Sequence, residues 1–269
     1  MFGRSSMGNP RVAVVTGAAG GIGVAVVEEL CNSGYVVVAI DAPHELEAEG
    51  QRTIDGGASM VLDELVVRFP DQVRAHNLDV SDRDGLREIC EKTASEHGHV
   101  DACVAAAAII EGGEALWEMS PDRFGNLCEV NIVGVWNTVS AIIPLMLRNT
   151  APQDCRFVAV TSAAAHRGHF GLAAYGATKH AVVGLVEGLA ADLVGTGVTA
   201  VAVSPGATRT PMLERTAALY GVEDVENFRQ SNHLRRILEP EELAKTVAFC
   251  CSPEAGILNG SVVVATGGS

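Results

Sequence analysis

Short apolar runs, most of them rich in β-branched residues, recur along the chain from residue 11 onward. Continuous apolar runs are typical of strands that are covered on both faces of a parallel sheet. Helical patterns lie between these runs, so the alternation predicts a single doubly wound α/β domain with helices on both faces of the sheet. The predicted strands are Val12–Thr16, Val36–Ile40, Val73–Leu78, Ala102–Ala107, Phe157–Thr161, Thr199–Val203 and Val262–Ala265.

Two segments are longer than an ordinary connection in such a domain. Residues 42–59 form an acidic, glycine-containing insertion, and residues 211–238 mix charged and apolar side chains. Long connections in compact α/β domains are usually lids or binding loops, so we expect the second segment to be a substrate lid. Residues 1–10 lack the apolar stretch of a secretory signal and are predicted to be a flexible leader to one catalytic domain, residues 11–269.

Charge and cysteine usage exclude several classes of protein. The 19 basic and 33 acidic residues give a net charge of −14, which argues against nucleic-acid and anionic-membrane partners. The seven cysteines contain no CxxC pair, and the eight histidines show no metal-ligand spacing. The sequence therefore predicts no metal and no disulfide framework, as in a reducing cytoplasm. Polar residues and Pro144 interrupt the apolar stretch 130–147, which suits a buried helix better than a membrane span.

A glycine-rich turn follows the first predicted strand and precedes a helical pattern. Glycines there allow a tight turn and a close approach of the backbone to a pyrophosphate at the helix N-terminus. Asp41 lies 18 residues beyond this turn, directly after the second strand, where its carboxylate can accept hydrogen bonds from a ribose. Residues 17–23 contain no lysine or arginine, so NAD is favoured over NADP, although a helix cap remains the alternative role for Asp41. The predicted cofactor contacts of the turn are Gly17, Ala19, Gly20, Gly21, Ile22 and Gly23.

A tyrosine and a lysine lie four residues apart in a helical segment, at Tyr175 and Lys179. This spacing puts both side chains on one helix face. An unperturbed tyrosine has a pKa of ~10, and a neighbouring ammonium lowers it by stabilising the phenolate. Ser162 ends the preceding strand, 13 residues before Tyr175, where ligands bind in open α/β sheets. The set predicts a general acid/base site, with a helix-surface pair as the alternative.

Together these motifs resemble the short-chain dehydrogenase/reductase family over essentially the whole chain from Arg11. The resemblance implies a Rossmann domain with a seven-stranded parallel sheet, and hydride transfer between a nicotinamide and an alcohol or carbonyl. It also implies a homotetramer packed through residues 121–147 and 174–193. The motifs that carry it are Thr16–Gly23, Asn131–Gly134, Ser162, Tyr175-x-x-x-Lys179 and Pro205–Thr210.

The resemblance implies a role for each catalytic position. Tyr175 would be the acid/base, Lys179 would hold the nicotinamide ribose and lower the pKa of Tyr175, Ser162 would orient the substrate oxygen, and Asn131 would support a water-linked proton path. Residues 105–108 are all alanine where the family commonly has Asn-Asn-Ala-Gly, so the local support of the sheet must differ there. The further cofactor contacts implied are Asp79, Val80, Ala105, Ala106, Ala107, Pro205, Gly206, Thr208 and Thr210.

Further features of the chain are the insertion after Asp41, the alanine-rich fourth strand, Leu116–Glu118, Ala163–Gly168 and Leu219–Gly221. In these features the chain resembles the mycofactocin-associated dehydrogenases of actinobacteria. This narrower resemblance implies an enzyme that retains its NAD and passes electrons to a peptide-derived redox carrier.

Other functions remain open at this point. They are an ordinary carbonyl reductase with exchangeable NAD, a non-catalytic nucleotide-sensing protein, and a sugar-nucleotide epimerase or dehydratase. His166 and His169 follow Ser162 closely and are predicted to border the substrate cavity, where a modestly hydrophobic alcohol is the expected substrate.

Overall fold

A computed structural model describes residues 9–43, 45–46, 52–53 and 57–268. The strands are β1 (Val12–Thr16), β2 (Val36–Asp41), β3 (Glu45–Leu46), β4 (Arg52–Thr53), β5 (Val73–Asn77), β6 (Ala102–Ala105), β7 (Arg156–Val160), β8 (Thr199–Pro205) and β9 (Val262–Ala265). The helices are α1 (Gly21–Asn32), α2 (Gly57–Arg68), α3 (Arg83–His97), α4 (Pro121–Cys128), α5 (Gly134–Leu147), α6 (Ala173–Asp192), α7 (Pro211–Leu219) and α8 (Pro240–Cys250).

Seven strands form one parallel sheet in the order β5-β2-β1-β6-β7-β8-β9. The order reverses between β1 and β6, which opens a crevice at the carboxyl ends of these two strands. The predicted doubly wound α/β fold is confirmed. Within the predicted insertion, β3 and β4 pair as a small antiparallel hairpin. Residues 44, 47–51 and 54–56 of that insertion, and residues 1–8 of the predicted leader, lie outside the described residues.

The apolar side chains of the strands alternate between two cores, one on each face of the sheet. Val15 and Val37 face a core closed by α1, α2 and α8. Val14 and Val38 face the opposite core, which α3, α5 and α6 close. This two-sided burial is why the strands read as continuous apolar runs in the sequence.

Several strands end elsewhere than the sequence predicts. β6 ends at Ala105, two residues early, because its last ladder bond is the one from the Ala106 amide to the Thr16 carbonyl. The alanine run continues past this point, so side-chain character does not mark where pairing stops. β8 continues to Pro205 instead of ending at Val203, while β9 matches its predicted bounds.

The longest apolar segment forms α4, a π-helical turn at Glu129–Val133, and α5 without a break. By length and composition alone, this segment could cross a membrane. Ile142 and Met146 are fully buried against the sheet, however, so the segment serves as a core helix of this domain. Its π turn is a local widening of the kind that often marks functional sites.

Candidate active site

The turn after β1 is shaped by two close approaches of the backbone. Gly17 has φ +71°, and a Cβ on it would lie 2.5 Å from the amide nitrogen of Ala107. A Cβ on Gly23 would overlap the carbonyl oxygen of Gly17. Helix α1 then begins without a side-chain cap at Gly20, which leaves amide groups of its first turn to bind a phosphate. The turn therefore fits the pyrophosphate of a dinucleotide.

Asp41 ends β2 beside this turn and is fixed by two backbone amides. Its Oδ2 accepts a hydrogen bond from the Ala19 amide at 2.7 Å, and its Oδ1 accepts one from the Ala42 amide at 2.8 Å. Burial raises the pKa of Asp41, and these amides act in the opposite direction. The carboxylate lies at one end of a cavity of about 570 Å³. This end is suited to the adenosine ribose of a dinucleotide.

The other end of the cavity holds the predicted catalytic side chains. Tyr175 and Lys179 are buried on one face of α6, one turn apart. The Tyr175 hydroxyl lies 3.9 Å from Sδ of Met212, to which it donates, and the Lys179 ammonium donates to the Val160 carbonyl at 3.2 Å. Ser162 follows β7 and lines the same cavity. The tertiary structure thus brings Ser162, Tyr175 and Lys179 together.

The expected lowering of the tyrosine pKa is not what the structure shows. Burial raises the pKa of Tyr175 to about 12, and a hydrogen bond with Ser162 only partly opposes that rise. Burial also lowers the pKa of Lys179 to about 8. The physical reason is desolvation, which disfavours the charged form of each buried group. Tyr175 is therefore a neutral phenol at neutral pH, ready to donate a proton.

Asn131 lies beneath the cavity and does not line it. Its side chain is fully buried in the π turn and makes two hydrogen bonds with the backbone of Ile109, at 2.9 and 3.0 Å. It also donates to the hydroxyl of Thr178, which in turn donates to the carbonyl of Tyr175 at 2.8 Å. Asn131 thus ties the loop after β6 to the helix that carries Tyr175. This tie supports the loop even though residues 105–108 carry no amide side chains.

The predicted cofactor contacts also line the cavity, with one exception. Ala105 lies in β6 with its side chain in the core, while Ala106 and Ala107 just beyond it reach the cavity. The predicted cofactor contacts that line the cavity are Gly17, Ala19, Gly20, Gly21, Ile22, Gly23, Asp41, Asp79, Val80, Ala106, Ala107, Tyr175, Lys179, Pro205, Gly206, Thr208 and Thr210.

Other lining residues were missed by sequence reasoning. Met212, Thr216 and Tyr220 recur at helical spacing through the predicted lid, and this spacing is the signal that could have placed them on one face. The prediction that two histidines border the cavity is confirmed for His169 only. His169 lines the cavity, burial lowers its pKa, and its Nε2 has no partner among the described residues. His166 does not line the cavity, and its Nε2 lies 3.0 Å from the buried hydroxyl of Ser204.

Known proteins share this architecture along the full chain. A family model described as enoyl-(acyl carrier protein) reductase matches residues 17–269. FabG of Thermotoga maritima, a 3-oxoacyl-(acyl-carrier-protein) reductase, is 30% identical over 264 residues, covering 96% of this chain and 97% of its own length. The oxidoreductase UcpA of Escherichia coli O157:H7 is 31% identical, covering 96% of this chain and 94% of its own.

A solved structure has the same fold. The 3-ketoacyl-(acyl-carrier-protein) reductase of Brucella melitensis, complexed with NADH, superposes with a TM-score of 0.82 at 28% identity, covering 96% of this chain and 97% of its own. Fold and site thus define an oxidoreductase with a fold that binds nicotinamide dinucleotides. The chain belongs to the short-chain dehydrogenase/reductase family.

Proposed function

We propose that the protein is an NAD-dependent oxidoreductase that transfers a hydride between a secondary or primary alcohol, or its carbonyl, and the nicotinamide. The observation that carries this proposal is a single cavity, with Asp41 at one end and the group of Ser162, Tyr175 and Lys179 at the other. A cofactor that spans the cavity would bring its reactive ring to the catalytic side chains.

The catalytic residues divide the work between them. When bound, the nicotinamide supplies the hydride acceptor or donor. The Ser162 hydroxyl donates to the substrate oxygen and stabilises the charge that develops there. The Tyr175 hydroxyl gives or takes the proton of that oxygen. Lys179 provides a positive charge one turn away, and Asn131 acts by holding the Ile109 loop and α6 in register.

The preference for NAD rests on Asp41. A carboxylate at this position accepts hydrogen bonds from the ribose and repels a 2′-phosphate. For Asp41→Ala we expect the ratio of kcat/KM with NAD to that with NADP to fall at least about tenfold, the value of a hydrogen bond to a charged group. Asp41→Asn is the matched control, because it keeps an oxygen acceptor and removes only the charge. An unchanged ratio in both variants would contradict the assignment.

The finer proposal is that the protein retains its NAD and delivers electrons to an external carrier of the mycofactocin type. The inserted segment starts after Asp41, and both Ala42 and Gly57 line the cavity, so the insertion leaves and rejoins the domain at the adenosine end. A segment anchored there can slow the escape of the cofactor.

The first experiment is to denature the purified protein without added cofactor and to quantify the released dinucleotide by mass. Near-stoichiometric NAD or NADH is the expected result, and it would support a retained cofactor. An empty protein would favour exchangeable NAD and contradict retention. Stoichiometric NADP would overturn the role of Asp41.

An exchangeable-NAD carbonyl reductase is the second candidate. The pKa of Tyr175 of about 12 keeps the phenol protonated and suited to donate to a carbonyl oxygen, which supports the reductive direction, and release of the cofactor in the experiment above separates this candidate from the first. A non-catalytic nucleotide sensor is disfavoured, because Asn131, Ser162, Tyr175 and Lys179 are all present.

The proposal includes a cytoplasmic homotetramer. Phe124, Trp136 and Leu147 are exposed apolar side chains on the helices proposed to pack between subunits. Gly184 and Gly188 of α6 have open space beside them, which permits the close approach of another helix.

A further inference from the structure

The substrate end of the cavity is an apolar chamber, which we define by Ile109, Ile110, Leu172, Met212 and Tyr220. These side chains belong to three segments: the loop after β6, the loop after β7, and α7, which contributes Met212 in its first turn and Tyr220 directly after its last residue. All but Met212 also belong to a small apolar cluster around Tyr175, separate from the two cores of the sheet. The chamber therefore receives the part of a substrate that lies beyond its reacting carbon.

The three segments meet at the far side of this chamber. The Tyr220 hydroxyl donates to the carbonyl of Phe170 at 2.7 Å, joining the end of α7 to the loop after β7. The Gly113 amide donates to the carbonyl of Gly171 at 2.9 Å, joining the loops after β6 and β7. Gly113 also faces the Leu219 carbonyl so closely that a Cβ on it would lie 3.0 Å away.

We propose that Tyr220 determines substrate length, because its ring lines the chamber while its hydroxyl latches the lid to the Phe170 loop. The substrate is then a short, free, largely apolar alcohol or carbonyl, and a long chain or one tethered to a carrier protein is excluded. This inference rests on the proposed function and adds the substrate class to it. The relative FabG is named for a carrier-bound substrate, and we expect this chain to reject a substrate of that kind.

Two opposing effects act on binding as the substrate becomes longer. Each methylene that enters the chamber adds apolar burial and strengthens binding about fourfold. Once the chamber is full, a further methylene must displace the Tyr220 ring and break its hydrogen bond to the Phe170 carbonyl. Affinity then falls instead of rising. The chain length at which affinity is highest is the turning point of the series.

The test measures binding of straight-chain secondary alkanols, lengthened one methylene at a time, to the NAD-loaded protein by ligand-detected NMR. In the wild-type protein we expect the dissociation constant to fall about fourfold per methylene and then to rise. Tyr220→Phe, which keeps the ring and loses the hydrogen bond, should move the turning point to longer chains. Tyr220→Ala should move the turning point to still longer chains. The dissociation constants of the longest alkanols should then be at least another tenfold lower than in Tyr220→Phe.

Phe170→Ala is the matched control, because the side chain of Phe170 is 91% exposed and its carbonyl remains in the variant. Its turning point should equal that of the wild type. A turning point unchanged in Tyr220→Ala would overturn the proposal, as would a shift in Tyr220→Ala with none in Tyr220→Phe, which would leave no role for the hydrogen bond. Failure of every alkanol to bind would overturn the apolar substrate class.

Turnover of the same alkanols separates this inference from the proposed reaction. Binding with the expected turning points but without hydride transfer to the bound NAD would contradict the proposed reaction and support the latch. Hydride transfer with the same length profile in wild type and Tyr220→Ala would support the reaction and overturn the latch.

Discussion

Replacing Tyr175 with phenylalanine is expected to lower turnover by about a hundredfold to ten-thousandfold, the range that general acid/base catalysis contributes. The variant keeps the buried ring and removes only the hydroxyl that we propose exchanges a proton with the substrate oxygen. The affinity for NAD should stay within about twofold of wild type, because the hydroxyl acts in the transition state and contributes little to the binding of NAD itself. Nicotinamide absorbance under single-turnover conditions, with an alkanol that the wild type oxidises, measures the loss.

Tyr35→Phe is the matched control for this experiment. The hydroxyl of Tyr35 is also buried, but it donates to the carbonyl of Cys251, outside the cavity lining. Its loss should change stability without changing turnover. Retained turnover in Tyr175→Phe, or an equal loss in both variants, would remove Tyr175 from the reaction.

The second large effect is expected at the turn after β1. Gly23→Ala puts a Cβ into the space of the Gly17 carbonyl oxygen, which belongs to the backbone and cannot rotate away. We expect a loss of about 3 kcal/mol or more in the free energy of unfolding, the upper range for overpacking. The turn that approaches the pyrophosphate must also shift, so NAD affinity should fall at least about a hundredfold. Urea unfolding and calorimetric titration measure the two effects.

The matched control replaces a glycine that has open space beside it within the protomer and lies outside the cavity lining. Gly125 is exposed in α4, and a Cβ there would meet no atom within 4 Å. Gly125→Ala should leave NAD affinity unchanged and stabilise the helix by up to about 1 kcal/mol. If Gly23→Ala instead behaved like this control, the close approach of α1 to β1 would not be needed for the cofactor.

The sequence could predict the sheet because a strand that is buried on both faces appears as a continuous run of apolar residues. The strands β1, β2 and β7 were located within one residue of their bounds for this reason. The end of β6 was misplaced because the alanine run through Ala108 has the same side chains inside and outside the ladder. Strand ends are set by pairing partners, here Thr16, that lie far away in the sequence.

The grouping of the proposed catalytic side chains could also be predicted from local spacing. Tyr175 and Lys179 share a helix face at a separation of four residues, and Ser162 follows a strand that ends at the ligand-binding edge. The electrostatics could not be predicted in the same way. Burial decides the pKa of both groups, and burial depends on all the elements that pack around α6.

By itself, the amino-acid sequence determined the doubly wound sheet, the glycine-rich turn, the acid after β2 and the helical Tyr-Lys pair, since each depends on residues close together in the chain. Only the tertiary structure decided that Asn131 supports the site from below and that Tyr220 reaches the Phe170 carbonyl. The partners in these contacts are 22 and 50 residues apart. Such contacts arise from packing between elements, which no local pattern of side chains encodes.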